Sequence, residues 1–325
     1  MLRHKLYIGA KIAKSHVPGL RRVRLLKTSV ETDRYGDRRI LEAVQGNRLL
    51  FDHVVSGTPV SAGKIGDCEL EALVKYVDAG GDADRFFHAI TKQGHELDLL
   101  YVNCGVFPRN AEAVARWAEI YLESLGGIDL LGVWHNKGEE EIAARYAPQA
   151  TLTRIRALEP YYHTDPWTAS LAGRRVLVVT PFEQTISLQH ARCRGADLFP
   201  GAPEVLPDFD LSIVRAPFSA ALVPPDHSEW SDALEAMKAQ IRTHDFDVCL
   251  VGAGAYSLPL CAFVRRELDR AAVHLGGATQ ILFGIRGRRW DAHPVLKSFF
   301  TDAWTRPLPS ERPRGRWRLE GGAYW

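Results

Sequence analysis

From Val54 onward, short apolar runs alternate with stretches of helical periodicity, and this alternation restricts the fold more than any other feature of the chain. VSAGKIG leads into 67–80, where Leu70, Leu73, Val74 and Val77 recur at helical spacing before Gly80 and Gly81 end the run. LDLLYVNCGVF (97–107) reads as a short apolar strand, 110–125 as a helix with Val114, Trp117, Ile120 and Tyr121 on one face, and LLGVWH (130–135) as a strand. Further along, RRVLVVTPF (174–182), FDLSIVRAP (209–217) and FDVCLVGAG (246–254) read as strands, followed by helical patterns at 183–194, 230–243 and 258–268. Strands alternating with helices of about 10–15 residues specify an α/β fold: a Rossmann-like, mostly parallel sheet with helices on both faces. Ligands in such folds bind beyond the carboxyl ends of the strands. The loops after 65, 102, 135, 181, 252 and 275 are therefore the places to look.

The 325 residues, 46% hydrophobic and 25% charged, suit one large or two moderate globular domains. No run of about 18 apolar residues exists, so no membrane-spanning helix is expected. The opening MLRHKLYIGAKIAKSHVPGLRRVRLL is basic and broken by Pro18 and Gly19, unlike a secretory signal. Cys68, Cys104, Cys193, Cys249 and Cys261 are scattered and form no CxxC pair, which argues against a disulfide scaffold or a cysteine zinc site. They read as small buried groups in a reducing, cytoplasmic setting.

Charge divides the chain unevenly. Residues 1–50 carry 12 Lys and Arg against 4 Asp and Glu, and the remainder carries 29 against 35. Residues 1–50 thus read as a basic N-terminal extension on a body spanning 51–325. Such an extension is either solvated or touches an anionic partner, such as polyphosphate or the inner face of the cell membrane. With an acidic body and no reader motif, nucleic acid is not an expected partner.

GKIGDCELEAL places Asp67 and Glu69 at a loop-to-helix junction beside Gly63 and Gly66. On a regular helix, side chains two apart diverge; in a turn entering a helix they can converge. Two hard oxygen ligands, completed by water and phosphate oxygens, suit Mg²⁺ or Mn²⁺. The same residues also suit a plain helix start, with Asp67 as cap and Glu69 complementing the dipole.

A second constellation lies in VCLVGAGAYSLPL, a strand, tight glycine turn and helix of the kind that brings backbone N–H groups against phosphate. Gly252, Gly254 and Tyr256 form that turn, and Ser257 stands where a dinucleotide fingerprint has its third glycine or alanine. No acid follows at the end of a next strand, where His274 stands instead, which disfavours NAD. AVHLGGATQILFGIRGRRWD (272–291) then supplies Gly276, Gly277, Gln280, Arg286, Arg288 and Arg289. Its arginines match diphosphate oxygens. Phe283 and Trp290 are candidates to stack on a base or to fill the core. His274 suits a base, a pyrophosphate donor or a core position.

Taken together, GKIGDCELEAL resembles the R-x-G-D-G-E-L motif of GT-D-fold glycosyltransferases. FDVCLVGAGAYSLPL, HLGGATQILFGIRGRRW, LAGRRVLVVTPFEQTI and the closing RLEGGAYW are similar to a bacterial subgroup carrying that domain. The resemblance covers roughly 51–325. It implies a metal-dependent transfer of a sugar from a nucleotide-sugar, a UDP-sugar, to a cell-envelope polysaccharide or glycoprotein acceptor, with Asp67 and Glu69 at the metal and diphosphate. Lys64 stands where the family often has Arg, keeping charge but losing bidentate geometry. Cys68 replaces the middle glycine. Glu183, His135, His190 and His274, at or near strand ends, are the candidates for a general base toward the acceptor. Two alternatives remain open: an NAD- or S-adenosylmethionine-dependent enzyme using the same glycine turn, and a non-catalytic assembly protein that kept the fold.

Overall fold

The computed structural model describes residues 32–92, 96–218, 223 and 226–325. They form a nine-stranded sheet of strands β1 (Arg34–Tyr35), β2 (Arg38–Leu41), β3 (Ser61–Gly63), β4 (Leu130–Val133), β5 (Thr151–Arg154), β6 (Arg175–Thr180), β7 (Asp210–Arg215), β8 (Val248–Val251) and β9 (Ala271–His274). The order across the sheet is β1-β2-β5-β4-β3-β9-β8-β6-β7. Only the β1–β2 pairing is antiparallel. The expected α/β fold with a mostly parallel sheet is thus observed.

Alternation within the strands shows why both faces are covered. Val176 and Val178 of β6 enter one apolar cluster while Leu177 and Val179 enter the other, all at most 1% exposed. Successive strand side chains point to opposite faces, so a strand as apolar as VLVV requires helices on both sides. Each such valine contributes on the order of 1.5–3 kcal/mol by burial.

Two expectations are corrected. The boundary between residues 50 and 51 falls inside helix α1 (Ala43–Ser56), and β2 pairs in parallel with β5, so residues from Arg34 onward belong to the body. Gly46 lets α1 approach so closely that a Cβ there would lie 2.2 Å from Thr153 Oγ1. Arg38 spends its charge on the body, donating to the Ala143 and Ala147 carbonyls at 2.9 Å at the end of the helix Glu139–Tyr146. The most basic part of the extension, 1–31, lies outside the described residues, as does any membrane contact it makes.

The second correction concerns 97–107. Instead of a strand, the chain forms a helical turn (Glu96–Leu99) running into a π-helix (Leu100–Cys104). A short apolar run fits a buried helix as well as a strand. In this segment the buried Glu96 carboxylate pairs with Lys75 at 2.9 Å and ties the chain to helix α2 (Asp67–Asp78). Among the described residues, no helix is long and apolar enough to cross a membrane.

Candidate functional site

The carboxyl ends of β4, β3, β9, β8, β6 and β7 are neighbours in the sheet, and the loops leaving them enclose one cavity of about 260 Å³. Both sequence constellations open onto it.

From β3 the chain passes through Lys64 and the fully buried Ile65 to Gly66, whose extended backbone (φ −72°, ψ 154°) starts α2. Gly66, not Asp67, is the N-cap residue, so Asp67 does not cap the helix. Asp67 sits exposed at the cavity wall and accepts from Asn136 Nδ2 at 2.6 Å. Glu69 curls back over Gly66, where a Cβ would stand 2.1 Å from its Oε2. Absence of a side chain at Gly66 therefore brings two carboxylates, two residues apart, into one cavity. Burial pushes the Glu69 carboxyl up, against its own backbone N–H, the Cys104 thiol and the Lys64 charge, which favour the anion. Among the described residues no three His, Cys, Asp or Glu side chains are grouped to hold a metal. A divalent ion at this corner would have at most two protein carboxylates and an otherwise open shell, which fits a hard cation completed by water and phosphate. Cys68 lies outside the cavity lining, packs against the core and faces the Asn103 amide at 3.9 Å, so the helical turn accommodates its side chain.

Two cations, Lys64 and Arg289, line the same cavity. Lys64 lines the cavity with its ammonium 4.9 Å from the Trp134 ring centre and makes no salt bridge to a described residue. Burial lowers its pKa, while Glu159, Glu69 and Asp67 pull it back up. Of the three arginines at 286–289, Arg289 is the one that reaches the cavity, held by Tyr324 Oη at 2.9 Å and Glu320 at 3.6 Å. Arg286 instead lies over the Phe300 ring at 5.4 Å, and Arg288 lies over Trp317 at 5.2 Å and donates to the Gly321 carbonyl. Neither lines the cavity.

Gly252 and Gly254 follow β8 as expected, and Gly276 and Gly277 follow β9. Gly254 (φ 57°) and Gly276 (φ 56°) occupy the left-handed region that favours glycine. Ser257, at the fingerprint's third position, receives the Ala253 N–H on its Oγ at 2.9 Å and so closes the turn internally. Tyr256 reaches the cavity lining but is a core residue, 1% exposed and stacked on Trp230 with ring centres 4.9 Å apart. Phe283 and Trp290 are also core, at 0% and 7% exposure.

Of the four candidate bases, His274 alone lines the cavity. Burial, reinforced by the Lys64 charge, pushes its imidazole down to about 3. In the free protein this keeps the ring neutral at physiological pH, which suits a hydrogen-bonding group better than a base. Its Nδ1 faces the Val251 carbonyl at 3.4 Å. Glu183 and His190 border a separate depression against β7. His135, 4% exposed and with φ 59°, packs edge-on against Tyr35 behind the cavity wall.

That wall depends on a group the sequence did not single out. Glu139 is fully buried, and its Oε2 accepts from Tyr35 Oη at 2.8 Å, from the Trp134 N–H at 2.9 Å and from the Asn136 N–H at 3.3 Å. It therefore sets the loop that presents Trp134 to Lys64 and Asn136 to Asp67. Burial pushes its carboxyl up from 4.5 to about 7. A raised acid binds its proton more tightly in the folded state, so this contribution is fully present below about 4.5 and is lost as pH rises to about 7. Glu139→Gln is expected to flatten the fall of unfolding free energy across that window by up to about 3 kcal/mol. Denaturant titrations at several pH values check this, and an unchanged slope would refute it.

Trp134, Thr279, Tyr324 and Trp325 also line the cavity, and Asn136 is tied to it through Asp67; RLEGGAYW, with its paired glycines before two aromatics, is the usable sequence signal for Tyr324 and Trp325. No family model, curated protein or solved structure matches this chain.

Proposed function

We propose that the chain is a metal-dependent glycosyltransferase of the GT-D type that moves a sugar from a UDP-sugar to a saccharide or glycoprotein acceptor of the cell envelope. The observation that carries this reading is the meeting of Asp67 and Glu69 with Lys64 and Arg289 in one cavity at the carboxyl ends of the central strands. That arrangement offers hard oxygen ligands and positive charge within one cavity, as a nucleoside diphosphate with its cation requires. The acceptor class rests on the resemblance carried by GKIGDCELEAL and the C-terminal segments.

Asp67 and Glu69 would hold Mn²⁺ or Mg²⁺, which when bound neutralises charge developing on the leaving diphosphate. Lys64 and Arg289 bind its remaining oxygens. The 252–254 and 276–277 turns let the ligand approach the backbone closely, and the aromatic side chains of Phe182, Phe218 and Trp325 exclude water from one wall. Arg286, Arg288 and Tyr256 have no direct part. His274 contributes a neutral hydrogen bond, which leaves the acceptor's base to a group other than the four named from the sequence, or to none if the sugar is transferred with retention.

Calorimetric titration of UDP with and without Mn²⁺ tests the reading. Binding that requires metal is expected. Equal binding without metal would mean that Asp67 and Glu69 do not hold a cation on the diphosphate, and no binding in either case would favour an assembly protein that kept the fold.

A further inference from the structure

Beside its charged side chains the cavity lining holds neutral polar ones. Thr279 and Gln280, each 2% exposed, line it from the short helix Ala278–Leu282. Thr279 Oγ1 and Gln280 Oε1 are buried and have no hydrogen-bond partner among the described residues. The orientation of the Gln280 amide is set by its other end, because Nε2 donates to the Tyr324 carbonyl at 3.0 Å. A flipped amide would place two acceptors face to face. Oε1 is therefore an acceptor left for a ligand to satisfy. Thr279 Oγ1 is held in place by close packing, since a Cβ on Gly252 would lie 2.5 Å from it. His274 adds a third neutral group. Its Nδ1 faces a carbonyl and so carries the proton, leaving a lone pair on Nε2.

A buried polar atom without a partner is costly to the free protein, and one that lines a cavity is open to a ligand that satisfies it. Two such atoms lie side by side in sequence: Gln280 Oε1 can only accept, as can His274 Nε2, while the Thr279 hydroxyl can both donate and accept. The group that fits them is uncharged and carries O–H donors. A diphosphate does not meet that description. A pyrimidine edge, with one N–H between two carbonyls, brings a single donor to the two acceptors Gln280 Oε1 and His274 Nε2.

We infer that Thr279 and Gln280 recognise hydroxyl groups of the transferred sugar, and so set which sugar the site accepts. The inference rests on the glycosyltransferase reading and adds to it a division of labour: metal and cations for the diphosphate, neutral hydrogen-bonding groups for the glycosyl group.

Thr279→Val is the sharpest test, because it removes a hydroxyl that bonds no described residue in the free protein and keeps the side-chain shape. UDP and a panel of UDP-hexoses are titrated into the wild-type chain, Thr279→Val and Gln280→Met in the presence of Mn²⁺, and the thermal midpoints of the free proteins are compared. The affinity gained by the preferred hexose over UDP alone is expected to fall about 10-fold in each variant. UDP itself should bind within about 2-fold of wild type, and free Thr279→Val should melt no lower than wild type. Equal weakening of UDP and UDP-hexose would assign these residues to the nucleotide and overturn the inference. So would an unchanged preference among hexoses, or a Thr279→Val protein that melts lower, which would make the hydroxyl structural. Failure of the wild-type chain to bind UDP at all would instead overturn the glycosyltransferase reading itself.

Discussion

Asn in place of Asp67 is expected to lower metal-dependent release of UDP from a UDP-sugar by about 10²–10³-fold while leaving the fold intact. The carboxylate is exposed, and its one hydrogen bond to a described residue, from Asn136 Nδ2 at 2.6 Å, can be accepted by the Asn side-chain oxygen as well. The structural loss is confined to a negative charge in the first turn of α2, worth about 0.3–1 kcal/mol. Charge, and with it the affinity for a divalent cation, is what the substitution removes. Initial rates over a Mn²⁺ series, read beside a thermal melt, separate the two effects. Turnover within a few-fold of wild type at equal metal would take Asp67 out of the mechanism; a collapse of the melt would show that it had been structural.

Ala in place of Gly252 is expected to damage the site from its opposite side and to weaken binding of UDP by at least about 10-fold. The added Cβ would stand 2.5 Å from Thr279 Oγ1 and 2.8 Å from the Gly276 carbonyl oxygen, both far inside contact distance. Neither neighbour is free to retreat. Thr279 is short and buried, and the Gly276 turn is held by two bonds to the Val251 carbonyl, from the Leu275 and Gly276 N–H groups at 2.9 and 3.2 Å. Overpacking of this kind costs about 1–3 kcal/mol, or roughly 2–4 °C in melting temperature per kcal/mol for a chain somewhat smaller than this one. A melt and a UDP titration of the same preparation check it. A variant that keeps both its melting temperature and its affinity would mean that this turn adapts freely and does not shape the cavity.

These two positions show how far local sequence reaches. Asp67, Glu69 and the glycines at 66, 252 and 276 are legible because loop-to-helix turns are written in consecutive residues: a missing side chain, a change of period, an acid in a first turn. The arginines at 286–289 show the limit. All three have the same chemistry in sequence, and only the direction of the chain after Ile285, bridged to Thr305, decides that Arg289 faces the cavity while Arg286 and Arg288 cover Phe300 and Trp317. The run 97–107 misleads for a related reason. Its apolar residues fit a strand until the Lys75–Glu96 pair and the surrounding helices make it helical. Residues 38–50 read by charge as part of a basic extension, yet Gly46 and Arg38 dock them by contacts with residues more than 100 positions away.

The sequence by itself determined the α/β class, the places where strands end in glycine turns, and the carboxylate pair, since each depends on residues within one or two turns of one another. Tertiary structure alone decided which of those turns share a cavity and which charged side chains reach it. It also decided that His274 is buried and that Thr279 Oγ1 and Gln280 Oε1 have no hydrogen-bond partner among the described residues. Each of these is a property of burial and of neighbours brought together across the sheet, and burial is a relation between distant segments that no local pattern contains.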